Sequence, residues 1–345
     1  MRGRASPPVV TLAALGMIFA AATLLGVSAS TGSRDSQLLI TSVAWLVWKV
    51  VGALALVVFV ALFLLALRIL RNGPDWGLTG SGRRTRNYLI ASTLVAAVIA
   101  VLILAGGGSP DIPVNGLVIR TRAVLFAGMI AIVPWLALVW LAQAECHDLR
   151  DLLSTPPVDG GAESEGKGGP AGSSSGTAVA PRLPAGGPAG TAVAPRQPPL
   201  LNARLLLLWK LLTACVTAFA VAVVAAIANS GALRASFLAA HPARSAEFPP
   251  ANVLLYGAFF AVILSVITIP LVASWRACAL RVVERTCPLP PDGQPTEDWF
   301  SARARLERLL HLDVPLLRNP LTALSIFVPL ITAALAAFVP QLGTS

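Results

Sequence analysis

Residues 205–227 read LLLLWKLLTACVTAFAVAVVAAI, a run of 23 residues whose only charged side chain is Lys210. A helix that crosses a bilayer needs about 20 predominantly apolar residues, because hydrocarbon offers the backbone no hydrogen-bond partner except the helix itself. The run therefore predicts a membrane-spanning helix. Apolarity alone gives helices in lipid no reason to associate, so we interpret the small side chains at every fourth position as a helix-packing stripe. Its members are Ala214, Ala218, Ala222 and Ala226.

The rest of the chain repeats this pattern on both sides of the run. Of its 345 residues 56% are hydrophobic and 12% are charged, and the mean hydropathy is +0.75. A soluble domain carries about 25% charged residues, so the composition excludes the soluble class. The fold class predicted is an all-α polytopic membrane helix bundle with about seven transmembrane helices. The six other predicted spans are residues 9–29, 50–67, 89–105, 123–144, 253–275 and 321–339.

The first run has an alternative interpretation. Arg2 and Arg4 form a basic start, and Val27-Ser28-Ala29 resembles the small-residue cleavage site of a secretory signal peptide. The apolar stretch is longer than the 7–15 residues usual for such peptides, which favours a retained helix. With cleavage the bundle would have six spans, and the orientation of the others would not change.

A segment of opposite composition divides the chain. Residues 154–199 are rich in Gly, Pro, Ala and Ser and hold almost no large apolar side chain. Such a segment buries too little surface to offset the entropy of ordering its backbone, so it is predicted to be a disordered cytoplasmic linker. It separates an N-terminal bundle of four spans, residues 1–153, from a C-terminal bundle of three, residues 200–345.

The basic residues predict the orientation. With a cytoplasmic amino terminus, 20 of the 26 Lys and Arg residues fall in segments on the inner side and six on the outer side. This bias is what sets the topology of membrane proteins, and it predicts an extracytoplasmic carboxyl terminus. The excess of Arg over Lys, with abundant Ala, Gly and Pro, favours a bacterial source and hence the plasma membrane. Nucleic acid is not predicted as a partner, because no basic stripe with interleaved aromatics is present.

Four positions within or beside the spans are candidates for a functional role. Lys49 follows Trp45 and Trp48 at the outer end of the second run. We interpret the group as an aromatic belt with a lysine that extends to the interface, and the alternative is a buried charge that lines a path. Candidate hinges are the interior prolines, since each removes a backbone hydrogen bond. They are Pro134, Pro270 and Pro329.

Residues 297–312 predict a cytoplasmic amphipathic helix. Thr296 supplies an N-cap, and an apolar face is formed by Trp299, Ala302, Leu306, Leu309 and Leu310. The polar side is basic. We expect this helix to lie on anionic lipid headgroups at the inner leaflet, and the alternative is a cytoplasmic protein partner or a second copy of the chain. The arginines of the helix are Arg303, Arg305 and Arg308.

Catalytic motifs are missing from the sequence. It contains no Gly-x-Ser-x-Gly nucleophile elbow, since the match at residues 172–176 lies in the low-complexity segment. It also contains no His-Glu-x-x-His, no phosphate-binding Gly-rich loop and no Cys-x-x-Cys. No enzyme activity, cofactor or metal is therefore predicted, and the four cysteines are expected to be reduced thiols. The favoured function is a non-enzymatic membrane-anchored or regulatory component that acts through its cytoplasmic loops. A channel or transporter for a small solute is the alternative, and an intramembrane enzyme comes third.

Overall fold

The computed structural model describes residues 40–78, 82–105, 117–154, 198–290, 293–312 and 320–342, together with residue 21. Most of these residues are helical, and none of them lies in a strand. Short 3-10 helices, Gly73–Trp76 and Pro242–Glu247, follow the first and fourth of the α-helices. The α-helices are α1 Val43–Arg71, α2 Gly82–Ala105, α3 Leu117–Ser154, α4 Pro198–Ala240, α5 Pro250–Thr286, α6 Glu297–Leu309 and α7 Pro320–Leu342.

Four segments of the described chain are long and apolar enough to cross a membrane. They are Val43–Arg71, Ile119–Ser154, Leu201–Ala240 and Pro242–Thr286. Each contains one predicted span, so a helical membrane bundle is supported for these four. The bundle is built around α4, which packs against α1, α3, α5 and α7.

The structure gives less support to the other three predicted spans. Residues 89–105 and 321–339 are helical within α2 and α7, and the apolar stretch found in α7, Phe327–Phe338, is short. The run 9–29 lies outside the described residues except for Ala21, which is helical and packs in the cluster that contains Trp48. The count of seven spans stays a prediction.

The helices are longer than the apolar runs that predicted them. The span expected at residues 123–144 lies inside α3, which has 38 residues, and the span at 205–227 lies inside α4, which has 43. A hydropathy window detects only lipid-like side chains, whereas helical hydrogen bonds continue wherever the backbone is unbroken. The polar turns at the helix ends therefore belong to the same rigid elements as the spans.

The carboxyl-terminal helix is held by close contacts between small residues. A methyl group added to Gly257 of α5 would overlap the Cβ of Ala333, and one added to Gly231 of α4 would overlap the Cβ of Ala336. Both Ala333 and Ala337 are fully buried. Small side chains let the backbones approach, which gives helices in lipid their van der Waals contact.

The predicted disordered linker, residues 154–199, falls almost entirely outside the described residues. Its first residue, Ser154, is the last residue of α3, and Pro198 and Pro199 begin α4. The division of the chain at this segment therefore stays a prediction.

Candidate functional site

Contacts between helices bring most of the described basic residues to one end of the bundle. There α1 and α3 end, α2 and α4 begin, and α5 ends beside α3. We call this the arginine end, and it is defined by Arg71, Arg84, Arg204, Arg276 and Arg285. We call the other end, where Trp45, Leu117, Arg234 and Phe248 lie, the opposite end. Every described loop that was expected on the cytoplasmic side is at the arginine end.

A buried ion pair joins α3 to α4 at the arginine end. The carboxylate of Glu145 is 1% exposed and pairs with the guanidinium of Arg204, which is 23% exposed. Removing a carboxylate from water is costly unless it is paired and hydrogen-bonded, so the pair ties the position of one helix to that of the other.

A second ion pair lies nearby but is open to solvent. Arg84 of α2 donates to the carboxylate of Asp148 in α3 at 2.6 Å, and both side chains are more than a third exposed. The hydrogen bond to Asp148 raises the pKa of the Arg84 guanidinium. Pairs of this kind contribute little to stability, and this one marks where the start of α2 lies against α3.

Arginine side chains also cap the carbonyl groups at this end. Arg285 of α5 donates to the carbonyl oxygen of Leu153 at 2.9 Å, in the last turn of α3. Cations are favourable at helix carboxyl ends because the last carbonyls lack helical partners and carry partial negative charge. The end of α3 is therefore held by α2, α4 and α5 together.

An aromatic cluster attaches the segment after α6 to the bundle. His311, which follows α6 with φ 52°, stacks on Trp209 of α4 with ring centroids 5.5 Å apart. Trp209 also packs on Trp275 of α5 at 4.5 Å. Arg276 donates to the carbonyl oxygen of Leu312 at 2.9 Å. These contacts fix the carboxyl end of α6 beside the first turns of the predicted span 205–227.

The amino end of α6 forms as its sequence predicts. The Thr296 side chain accepts a hydrogen bond from the backbone N–H of Trp299 at 3.3 Å, and Glu297 and Asp298 occupy the first turn. The indole N–H of Trp299 donates to the carbonyl oxygen of Pro288 at 2.9 Å. The helix thus folds back on the segment that precedes it.

The faces of α6 differ in part from those predicted. Trp299 and Leu306 are partly buried and Leu310 is fully buried, whereas Leu309 is 51% exposed and Ala302 is also exposed. The inward face therefore follows the spacing 299, 303, 306 and 310, and Leu309 lies on its flank. The helix ends at Leu309 because the chain turns at residues 310 and 311 to reach Trp209.

The arginines of α6 have two environments. Arg303 is partly buried, lies over the ring of Trp299 at 5.3 Å and pairs with Glu307 at 2.8 Å. Arg305 and Arg308 are exposed. The outward surface of α6 therefore presents two arginines next to the half-exposed Leu309.

The interpretation of Trp45 and Trp48 as an aromatic belt is wrong for these side chains. They are 1% and 0% exposed, their rings pack 4.7 Å apart, and their cluster includes Leu233 of α4. The helix begins at Val43, before the predicted span 50–67, so both tryptophans lie within its first two turns. Lys49 is partly buried beside them.

The other candidates within the spans occupy varied positions. The helices run without a break through the three prolines; Pro134 and Pro329 are buried and Pro270 is exposed. In the alanine stripe, Ala214 is partly buried and Ala218 is buried. Ala222 and Ala226 are also buried and share a cluster with Trp45 and Trp48.

The described cysteines are free thiols. Cys146, Cys215 and Cys278 are buried, and Cys287 is partly exposed. Within the described part of the chain no group of three or more His, Cys, Asp or Glu is placed to hold a metal ion.

Sequence reasoning missed three buried residues that have a charged or amide side chain. Glu145 follows the last residue of a predicted span, whereas Asn229 and Arg234 follow the predicted end of the 205–227 span. All three are at most 1% exposed. The apolar residues at 231–240 were the available signal, because they extend the helical pattern past Arg234 and leave its charge inside the bundle.

Comparison with known protein families, curated proteins and solved structures found no match to this chain.

Proposed function

We propose that this chain is a non-enzymatic plasma-membrane protein that crosses the bilayer seven times and acts through its arginine end. In this proposal the amino terminus and the arginine end face the cytoplasm, and the carboxyl terminus lies outside. The surface that acts is α6, which binds anionic lipid headgroups of the inner leaflet. The observation that supports it most directly is the stack of His311 on Trp209, which attaches α6 to the bundle.

The position of that attachment along the membrane normal favours a contact between α6 and lipid. Trp209 is the fifth residue of the predicted span 205–227, and Trp275 is the last residue of the predicted span 253–275. Tryptophan at such positions lies at the level of the headgroups. The end of α6 is then held at the interface, where Leu309 can enter the acyl region. Arg305 and Arg308 are placed among the phosphates.

The proposal is tested by a nitroxide attached at Leu309→Cys in a chain that also carries Cys287→Ser. In nanodiscs of phosphatidylcholine and phosphatidylglycerol, we expect the label to collide more with oxygen than with a water-soluble nickel complex. Ala304→Cys, on a different side of α6, is the matched control and should show the reverse. A label at residue 309 that is as accessible to the nickel complex as the label at 304 would contradict the proposal.

The arginines provide an independent measurement. The double variant Arg305→Gln/Arg308→Gln should retain less phosphatidylglycerol in native mass spectrometry. A loss of about fivefold in affinity per arginine is expected, since each basic residue near an anionic surface contributes about 1 kcal/mol. Arg244→Gln, at the opposite end, should leave retention unchanged. Unchanged retention in the double variant, with crosslinks from α6 to a soluble protein, would favour protein docking instead.

A channel or transporter is the second candidate, and the polar residues inside the opposite end favour it. Asn229 is fully buried and Lys49 is partly buried there, and polar groups inside a membrane bundle mark solute paths. Solute flux in proteoliposomes that is abolished by Lys49→Leu or by Pro329→Ala would support this function over the first.

A further inference from the structure

Two side chains at the opposite end bury hydrogen-bonding atoms that the described protein does not satisfy. The indole N–H of Trp48 and both amide atoms of Asn229 have no hydrogen-bond partner among the described residues. Both residues are 0% exposed. In lipid these groups have no access to bulk water, so leaving them unpaired costs free energy at each atom.

Trp48 belongs to a cluster that is formed by residues of α1, α3 and α4 together with Ala21, and Asn229 lies on the face of α4 that contributes to it. Trp48 of α1 shares a cluster with Ala226 and Leu233 of α4. Asn229 lies three residues after Ala226 and four residues before Leu233, and this spacing places the three on one face of a helix. Asn229 therefore faces the side of α4 against which Trp48 packs.

Other tryptophans of this fold show how a buried indole is normally satisfied. Trp135 is 1% exposed and donates to the carbonyl oxygen of Leu62 at 3.0 Å. Trp275 is 2% exposed and donates to the carbonyl oxygen of Leu205 at 3.1 Å. In both cases a neighbouring helix supplies the acceptor. Trp48 is equally buried and lacks such a carbonyl.

The chemistry of the unsatisfied atoms specifies what would pair with them. The indole offers one donor, and the Asn229 amide offers an acceptor oxygen and a donor nitrogen. A single molecule that both donates and accepts would serve all three, and water does so with the two to four partners that a buried water needs. Burial excludes a second protein chain, and the unsatisfied atoms all belong to neutral side chains, which favours a neutral molecule over an ion.

We propose that Trp48 and Asn229 form a binding site for one small neutral hydrogen-bonding molecule between α1 and α4, and that its occupant is water. The molecule bridges the two helices near the opposite end of the bundle. This inference does not depend on the orientation of the chain or on the lipid contact of α6, so each can fail without the other.

X-ray radiolytic labelling of the full chain in nanodiscs tests the site, because a water held against a side chain oxidises it even when bulk solvent is excluded. In ¹⁸O-water, we expect Trp48 to be oxidised several-fold faster than Trp135 and Trp275, which are internal controls of equal burial. Asn229→Leu should lower the Trp48 rate to theirs. The matched control Ser236→Ala removes a hydroxyl that is equally buried but already donates to the Leu233 carbonyl. It should leave the rate unchanged.

A second measurement keeps the proposal testable where Asn229→Leu does not fold. In the unsubstituted chain labelled with ¹⁵N-tryptophan, the indole resonance that disappears in Trp48→Phe should show a cross-peak to water, and those of Trp135 and Trp275 should not. Equal oxidation of the three tryptophans would overturn the proposal. Absence of the water cross-peak would overturn it as well.

Discussion

At the scale of single residues, Glu145 and Arg204 differ in their access to water. The free-energy cost of removing one side chain of this ion pair therefore differs from the cost of removing the other. Glu145 is 1% exposed and Arg204 is 23% exposed. A guanidinium that loses its partner can still be solvated at the surface, whereas a buried carboxylate cannot. The arginine is therefore the side chain whose removal costs more.

We predict that Arg204→Met lowers the free energy of unfolding by about 3–5 kcal/mol, the range for breaking a buried pair. Glu145→Gln should cost less, because the remaining arginine reaches solvent. The double variant Glu145→Met/Arg204→Met should recover most of the loss, since no charge is left buried. Unfolding by SDS in mixed micelles measures all three.

The exposed pair at the same end is the control. Arg84→Met breaks the contact with Asp148, in which the side chains are 37% and 43% exposed. Exposed pairs contribute about 0–1 kcal/mol, so the loss should be near the error of the measurement. Equal losses for Arg84→Met and Arg204→Met would show that burial of Glu145 is not what makes its pair important.

Arg234 holds three elements together at the opposite end. Its Nε donates to the carbonyl oxygen of Phe248 at 2.9 Å and its Nη1 to that of Ala337 at 2.9 Å. The side chain is 1% exposed and lies in α4, so it connects this helix to α7 and to the loop before α5. Its charge is matched by backbone dipoles rather than by a carboxylate within the described residues.

We predict that Arg234→Met destabilises the bundle by about 1–3 kcal/mol, the cost of leaving buried acceptors without donors. The loss should be accompanied by faster proteolysis at the α4–α5 loop, because that loop loses its attachment. Arg244→Met is the control, since the ion pair of Arg244 is with Glu247, three residues away, and both side chains are partly exposed to solvent. Retained protection of the loop in Arg234→Met would contradict the prediction.

At the scale of elements, the close packing of α7 depends on the glycines that face it, Gly257 of α5 and Gly231 of α4. We predict that Gly257→Ala costs about 1–3 kcal/mol, because the new methyl group overlaps Ala333 and the helices must separate. The compensating double variant Gly257→Ala/Ala333→Gly returns the volume and should restore most of the stability. Thermal unfolding in detergent measures the series.

Gly82 is the matched glycine for this test. It is also helical, but a methyl group placed on it would contact nothing within 4 Å. Gly82→Ala should therefore leave the melting temperature unchanged or raise it slightly. A compensating variant no more stable than Gly257→Ala alone would show that the loss comes from something other than the α5–α7 contact.

The existence of the helices could be predicted from the sequence, but their ends could not. Residues 205–227 are apolar enough to require a helix in lipid. The same helix runs on to Ala240 through Arg234. A hydropathy scale predicts that the chain leaves the membrane before Arg234, because the residue is charged. In the structure its guanidinium is buried and donates to two carbonyl oxygens from other elements. No local pattern contains that information.

The faces of the helices were predicted less well than their positions. Trp45 and Trp48 resemble an interfacial belt in sequence, yet they are buried in a cluster with residues of α3 and α4. A tryptophan is suited both to a membrane interface and to a protein interior, and its neighbours in sequence do not distinguish the two locations. Leu309 shows the same limit, because the contact of His311 with Trp209 decides how α6 is rotated.

At the scale of the whole molecule, the charge pattern of the sequence and the contacts of the structure assign the basic loops to the same end of the bundle. The positive-inside bias assigns basic loops to one side from sequence alone. Independently, the ion pairs and capping contacts of Arg84, Arg204 and Arg285 bring those loops to one end of the bundle. Side chains from four helices meet there, so reversing one helix alone would separate charges that are now paired.

This agreement leads to a prediction for topology. A reporter inserted at residue 175 should be active in the cytoplasm, and one fused after Ser345 should be active outside, because three predicted spans, an odd number, separate them. In the proposed orientation the arginine end faces the cytoplasm, and its ion pairs hold its loops on one side as a unit. Replacing Arg83 and Arg86 with Gln, which leaves the Arg84–Asp148 pair intact, should not reverse either reporter, since Arg204, Arg276 and Arg285 remain. A reporter at 175 that is active outside, or two reporters active on the same side, would contradict the orientation or the number of spans after the linker.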